Sequence, residues 1–349
     1  MYLKGTWQIG WRFRFMKVLL YSEGKKLFSK SGVGRALKHQ MIALEKVGVD
    51  YTTDEEDNYD LAHINTIGPG GEKVLKKSRK SGLPVIYHTH TTFEDFRNSF
   101  MFSNSLAPII KSRIKRLYSS ADFLISPSEY TRDLVRGYGV NLPIKVISNG
   151  VDNEKFTRNS FLAESFRKQY GIEGPLVISV GLPFSRKGVV DFCDIAANKP
   201  DIRFFWFGAK ITSLLPAKIK KLLNHPPKNV IFPGFVPQET IMGAYSACDT
   251  FFFPSYEENE GIVVLEALSM EAPILIRDIP VYRGWMRSEE NCLKGRDNRE
   301  LSLLLDRLVA DKKLAGKLTS TGKETALERD LSIIGQKLKN TYLEVLEKR

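Results

Sequence analysis

Two glutamates eight positions apart, Glu258 and Glu266, bracket the stretch Glu258-Asn-Glu-Gly-Ile-Val-Val-Leu-Glu266. The apolar run Asp249-Thr-Phe-Phe-Phe-Pro-Ser255 precedes it, and Ala267-Leu-Ser-Met-Glu-Ala-Pro-Ile-Leu-Ile follows. A strand that delivers an acidic loop, a glycine and then a helix reads as a binding crevice at the carboxyl edge of a parallel sheet. Gly261 stands where the helix should begin, so the backbone there can approach a ligand closely. About two helical turns separate the carboxylates along the axis, so they cannot share one task. One belongs at the reacting end of an elongated ligand and the other deeper along it. The same pair also suits a solvated acidic loop ahead of a core helix, so its neighbours must decide.

Three other clusters bear on that choice. Ser179-Val-Gly-Leu-Pro-Phe-Ser-Arg-Lys-Gly188 sets Arg186 and Lys187 at a strand-to-helix turn, where two cations can neutralise a diphosphate without a metal. Tyr87-His-Thr-His-Thr-Thr-Phe-Glu-Asp-Phe96 ends an apolar strand with His88 and His90. Histidine at such a position can donate to a sugar hydroxyl or phosphate and change charge near neutral pH. His90, nearer the tip, is the better reactive candidate, and no third ligand at metal-site spacing accompanies the pair. Ser31-Gly-Val-Gly-Arg35 opens a helix, so Gly32 and Gly34 can offer backbone N–H groups to an anion. That turn lacks the third glycine of the dinucleotide fingerprint, and a plain tight turn fits it equally well.

Alternating strands and helices carry these motifs. Strands are expected at Val18–Tyr21, Leu61–Asn65, Pro84–His90, Phe123–Ser126 and Ile144–Ile147, with helices at Gly32–Val47, Glu72–Ser81, Ile109–Ser119 and Ser128–Tyr138. Ser148-Asn-Gly-Val-Asp152 is a turn-rich break, and a short helix near Leu162–Tyr170 follows. The pattern then restarts with strands at Leu176–Val180, Phe204–Phe207, Val230–Phe232, Thr250–Phe253 and Pro273–Ile276. Continuous apolar strands between helices mean parallel sheets covered on both faces. The fold class is therefore α/β, with two Rossmann-like domains, 16–160 and 161–349, facing a cleft. A last helix over Leu331–Glu347 follows the second domain, and nothing in the sequence names its packing partner.

The bulk properties narrow the function classes. A chain of 349 residues is long for one core. With 42% hydrophobic and 26% charged residues and no long uncharged apolar run, it has no candidate membrane span. Cys193, Cys248 and Cys292 are scattered, against a disulfide scaffold or zinc site and in favour of a reducing cytoplasm. The net charge of +12 is uneven: residues 1–150 hold 23 Lys and Arg against 14 Asp and Glu. Such a basic half attracts nucleic acid, anionic lipid or anionic substrates. Residues 1–15, basic and aromatic without a signal-peptide core, read as a start-site extension before Met16, the alternative being an interfacial Trp/Arg anchor.

Taken together, Gly32/Gly34, His90, the Asn149-Gly-Val-Asp152 turn, Lys187-Gly188 and the spaced glutamates resemble the retaining glycosyltransferases of family 4, from about Met16 to the carboxyl terminus. Within that family, His-Thr-Thr-Phe-Glu-Asp-Phe and Glu-Gly-Ile-Val-Val-Leu-Glu look most like the bacterial diacylglycerol and monoglycosyl-diacylglycerol α-glycosyltransferases of glycolipid and lipoteichoic acid anchor synthesis. The resemblance implies the GT-B architecture, a UDP-glucose or UDP-galactose donor, a lipid acceptor, and no metal or other cofactor. It gives the catalytic positions to His90, beside the transferred sugar, and Glu258. Lys187, assisted by Arg186, would hold the diphosphate. Glu258, Glu260, Gly261 and Ile262 would hold the donor hexose, Glu266 the ribose hydroxyls, and Gly32 and Gly34 would close on the phosphates. The leaving diphosphate would take the acceptor hydroxyl's proton on the same face, so catalysis is positioning plus charge stabilisation. Two departures stand out: Leu182 occupies the place of the family's usual arginine, and Glu271-Ala272-Pro273 replaces its usual glycine before proline.

The acceptor side rests on Ile109-Ile-Lys-Ser-Arg-Ile-Lys-Arg-Leu-Tyr118. Ile110, Ile114, Leu117 and Tyr118 share one helical face, flanked by basic residues. With Phe100 and Phe102 upstream, Lys111, Arg113, Lys115 and Arg116 suit monotopic binding to an anionic membrane surface, which places the protein peripherally on the inner face of the cell membrane. An ordinary helix with a core-facing stripe fits equally well. No nucleic-acid module is present. The competing functions are a family 4 enzyme for a polyprenyl-linked or capsular glycan, and an inactive nucleotide-sugar-binding or membrane scaffold protein.

Overall fold

The computed structural model describes residues 16–23, 32–99, 103–208 and 215–348, so residues 1–15, Phe100 and Phe102 lie outside it. The chain forms two compact units. The first comprises the chain up to Phe93, Pro108–Gly150 and everything from Arg329; the second comprises Glu94–Ala107 and Val151–Glu328. These are not the contiguous stretches divided at residue 160 that the sequence suggests.

In the first unit six strands form one parallel sheet: β1 (Lys17–Tyr21), β2 (Asp50–Thr52), β3 (Leu61–Ile64), β4 (Val85–His88), β5 (Phe123–Ser126) and β6 (Ile144–Val146), in the order β2-β1-β3-β4-β5-β6. β3, β4 and β5 are buried along their whole length, as strands covered on both faces must be. One face packs Leu37, Ala43 and Leu44 of the helix Gly32–Lys46 with Leu331, Ile334 and Leu338 of the last helix. The other packs Val74, Ile114, Leu117 and Tyr118. The partner of the last helix, Leu331–Glu347, is therefore Gly32–Lys46. A Cβ at Gly335 would stand 2.1 Å from the Ala43 carbonyl oxygen, so only glycine permits this helix crossing.

The second unit repeats the design with β7 (Leu176–Val180), β8 (Arg203–Phe207), β9 (Val230–Gly234), β10 (Thr250–Phe253), β11 (Ile274–Arg277) and β12 (Leu293–Gly295), ordered β12-β11-β10-β7-β8-β9. From β7 the chain steps one way to β8, whereas β10 lies on its other side. Strand order thus reverses between β7 and β10, the point in an open α/β sheet where loops diverge and leave a crevice. The two loops that leave their carboxyl ends carry Arg186-Lys187 and Glu258-Asn-Glu-Gly261.

Candidate active site

The turn after β7 and the loop after β10 are hydrogen-bonded to each other through Arg186. The Tyr256 N–H donates to the Arg186 carbonyl (2.7 Å) and the Ser255 hydroxyl to the Glu258 carboxylate (2.6 Å). The Lys187 ammonium forms an ion pair with that same carboxylate and lies 5.4 Å from the centre of the Phe253 ring. Gly188, at φ +75°, makes the approach possible, because a Cβ there would fall 2.3 Å from the Pro254 carbonyl oxygen. The two residues singled out in separate motifs, Lys187 and Glu258, are thus in direct contact. Burial pulls the Lys187 pKa below the usual lysine range, opposed first by Glu258.

Gly261 adopts φ 99°, ψ 66° at the N-cap of the helix Ile262–Ser269, where it brings no side chain of its own. Ile262 heads that helix, and Glu260 is buried just before it. Glu266 lies on the second turn, buried, within reach of the Tyr245 hydroxyl (3.4 Å), which also donates to the Val263 carbonyl (3.2 Å). Glu258 stands in the loop rather than on the helix, so the two carboxylates occupy different elements. Glu271 adopts φ 54°, in the left-handed region that favours glycine.

Arg186 is committed on two of its nitrogens. Nε donates to the Ser99 hydroxyl (2.6 Å), and Nη1 donates to the Glu257 carbonyl (3.0 Å) and pairs with Asp95 (2.9 Å). Asp95 and Ser99 went unnoticed in the sequence. Their only signal was position, a few residues past the histidines, and nothing local shows that Glu94–Ala107 joins the second unit.

In the first unit, His90 sits in a buried polar network. Strand β4 ends at His88, two residues before the expected limit, yet the His88 and His90 rings stack with centroids 3.8 Å apart and His63 lies parallel at 5.3 Å from His88. Short polar contacts tie these rings to Gln40, Asn65 and Tyr342. Gln40 Nε2 donates to Asn65 Oδ1 (2.8 Å) and His88 Nδ1 (3.0 Å). His63 Nε2 lies 3.2 Å from the same His88 Nδ1, whose one lone pair serves a single donor, and the Tyr342 hydroxyl is hydrogen-bonded to His63 Nδ1 (2.7 Å). His90 Nε2 donates to Asn65 Oδ1 (3.0 Å). Burial holds the His63 and His90 pKa values down at about 3. The charge change near neutral pH expected of His90 is thereby corrected: the ring is neutral there because burial penalises its cation. Gly32 begins its helix, Gly34 is buried in the first turn, and a Cβ on Gly32 would meet nothing within 4 Å.

The basic helix runs over Ser103–Tyr118, and its Ile114, Leu117 and Tyr118 are core, so that stripe is not the membrane face. Arg113 donates to the Ile67 carbonyl (2.5 Å) and pairs with Glu72 (3.2 Å), and Arg116 grips Glu72 with two 2.9 Å bonds. Lys111 lies over the rings of Phe93 and Tyr138, at 5.2 and 5.4 Å. Lys115 is exposed, as are Leu106 (45%) and Ile109 (67%). Among the described residues no helix is long and apolar enough to cross a membrane.

Two parallel Rossmann-like sheets, the second with charged loops at its strand-order reversal, define a protein of GT-B architecture. Sucrose-phosphate synthase from Thermosynechococcus elongatus matches with a TM-score of 0.81 at 17% identity, covering 96% of this chain and 100% of that one. Anabaena HepE, solved in complex with UDP and glucose, matches with 0.78 at 18% identity over 94% of this chain and 99% of its own. The sequence narrows the class further. Residues 42–155 match the model for Glycosyltransferase Family 4, and residues 163–325 that for Glycosyl transferases group 1. The processive diacylglycerol alpha-glucosyltransferase of Acholeplasma laidlawii is 41% identical over 335 residues, 95% of this chain and 99% of that protein. The alpha-galactosylglucosyldiacylglycerol synthase of Streptococcus pneumoniae is 27% identical over 279 residues, 77% of this chain and 72% of the other. The chain belongs to glycosyltransferase family 4.

Proposed function

We propose that this protein is a retaining hexosyltransferase that moves glucose from UDP-glucose to diacylglycerol or to a glucosylated diacylglycerol. The observation that carries the reading is 41% identity, over nearly the full length of both chains, to a processive diacylglycerol alpha-glucosyltransferase. The site supports it with suitable chemistry. Lys187 and Arg186 would bind the donor diphosphate and stabilise its departing charge, which makes a metal unnecessary. Glu258, Glu260 and the backbone at Gly261 and Ile262 would hold the hexose, and Glu266 the ribose. Neutral His90, fixed through Asn65 and Gln40, would contact the transferred sugar. Gly32 and Gly34 would leave room for the phosphates.

The acceptor is apolar and lives in a bilayer, so the protein would work peripherally at the cytoplasmic membrane face. On the helix Ser103–Tyr118, exposed Leu106 and Ile109 with Lys111 and Lys115 offer an apolar tip flanked by cations, a combination that favours anionic lipid. The test presents purified protein with phosphatidylglycerol vesicles containing diacylglycerol and radiolabelled UDP-glucose or, separately, UDP-galactose. Labelled glycosyl-diacylglycerol from UDP-glucose is expected. Lys187→Ala should lower its rate on the order of 100-fold, the usual loss when one charge-stabilising group is removed. Glu258→Gln should lose turnover yet still bind the vesicles. A protein that makes no lipid product from either donor refutes the assignment.

A further inference from the structure

Arg186 is too enclosed to be a solvated cation: its side chain is 11% exposed. Its Nε is taken by Ser99 and its Nη1 by Asp95 and the Glu257 carbonyl, while the backbone N–H donates to the Asn98 carbonyl (3.3 Å). Nη2 has no bond to any described residue, so both of its N–H groups remain to donate. A guanidinium is rigid and planar, and fixing two of its nitrogens fixes where the third points. The neighbour on the same turn is Lys187, already paired with Glu258. The segment Asp95–Ser99 thus aims a cation at the place where the second unit carries its other cation.

We propose that Asp95 and Ser99 are positioning residues for donor binding: they hold Arg186 so that Nη2 meets an oxygen of the nucleotide-sugar diphosphate beside Lys187. This rests on the donor-site reading above and deepens it. It also accounts for Leu182, because an arginine held from another segment supplies the fork that the strand-end position lacks. The charges balance, with Asp95 and Glu258 against Arg186 and Lys187, so the cluster is held together before any anion arrives. Burial raises the Asp95 pKa above the usual carboxylate value, and both cations oppose that rise only in part.

The experiment measures donor KM and kcat at saturating lipid, with UDP affinity by calorimetry. Asp95→Asn should raise donor KM and the UDP Kd about tenfold with kcat within about twofold, because binding geometry rather than chemistry is lost. Arg186→Ala and Arg186→Lys should do the same, since neither has a fork. Asp95→Asn/Arg186→Ala should be no worse than Arg186→Ala alone, as expected for residues acting as one unit. Ser99→Ala, a milder change, should raise KM about threefold and serves should Asp95→Asn fail to fold. Tighter or unchanged donor binding in Asp95→Asn, or effects that multiply in the double variant, overturns the proposal. If the wild type binds UDP and Lys187→Ala weakens it while Asp95→Asn does not, only the positioning role falls. A wild type without affinity for UDP brings down the donor-site reading and this proposal with it.

Discussion

Tyr282 shows at the scale of one side chain how this site departs from an ordinary core. Its ring is fully buried beside Trp285, and its hydroxyl has no hydrogen-bond partner among the described residues. That hydroxyl lies 3.3 Å from where a Cβ on Gly261 would be, which adds a second reason, besides φ, for glycine there. Burial, then the charge of Glu258, raises its pKa well above the ordinary phenol value, so the group is neutral. A buried hydroxyl that makes its bond contributes about 1 kcal/mol, and one left without costs a similar amount. Tyr282→Phe should therefore leave the thermal midpoint unchanged or raise it slightly. A fall of several degrees would show that the hydroxyl is bonded. At this scale the sequence was informative about residue type: Lys187, Glu258 and Gly261 stand out because cations, carboxylates and glycine are unusual beside apolar strands. Asp95, Asn65 and Tyr342 did not, because an ordinary polar residue acquires meaning only from a partner far along the chain.

The helix Ile262–Ser269 makes the corresponding case for elements. It ends at Met270, and Glu271 then takes φ 54° while the Ala272 N–H returns to the Ala267 carbonyl (3.0 Å). This left-handed exit is the usual glycine position after a helix, and a side chain there costs about 1 kcal/mol. Glu271→Gly should accordingly raise the midpoint of the second unit by about 2–4 °C, as that energy does in a domain of this size. A lower midpoint would mean that the attraction between Glu271 and Lys323 outweighs the backbone strain. Element by element, the central strands were legible because burial on both faces leaves them continuously apolar. The edge strands β2 and β12, three residues each and partly polar (Asp50-Tyr-Thr and Leu293-Lys-Gly), carry no such signature. The amphipathic stripe of Ser103–Tyr118 was visible too, but periodicity reports an apolar face without saying whether protein or lipid covers it. Ile114, Leu117 and Tyr118 are covered by protein.

At the scale of the whole molecule, chain order and packing diverge, and pH exposes the consequence. The last helix follows the second unit in sequence but belongs to the first, where Tyr342 bonds to His63 at the head of the histidine stack. His63 and His90 are neutral in the folded state, with pKa values lowered to about 3, whereas unfolded histidine titrates near 6.5. Because the folded values are depressed, the unfolded chain binds protons first as pH falls. Stability is therefore fully present above about pH 6.5 and is lost progressively below it, by about 2 kcal/mol for each of the two histidines at pH 5. Carboxylates such as Glu72 and Glu344, held at about 2 by their basic partners, act in a lower window, between about 4.5 and 2. The interval from pH 7 to 5 thus reports the histidines. Urea unfolding across it should show the first unit weakening steeply. Replacing the bonded pair together, His63→Leu with Tyr342→Phe, should shrink that loss by about 2 kcal/mol, since the His63 ring that would take up one proton is gone and the Tyr342 hydroxyl is not left without its partner. A wild-type urea midpoint that holds constant from pH 7 to 5 would mean that these rings are not kept neutral by burial, and that the last helix does not complete a dry, uncharged core around His90.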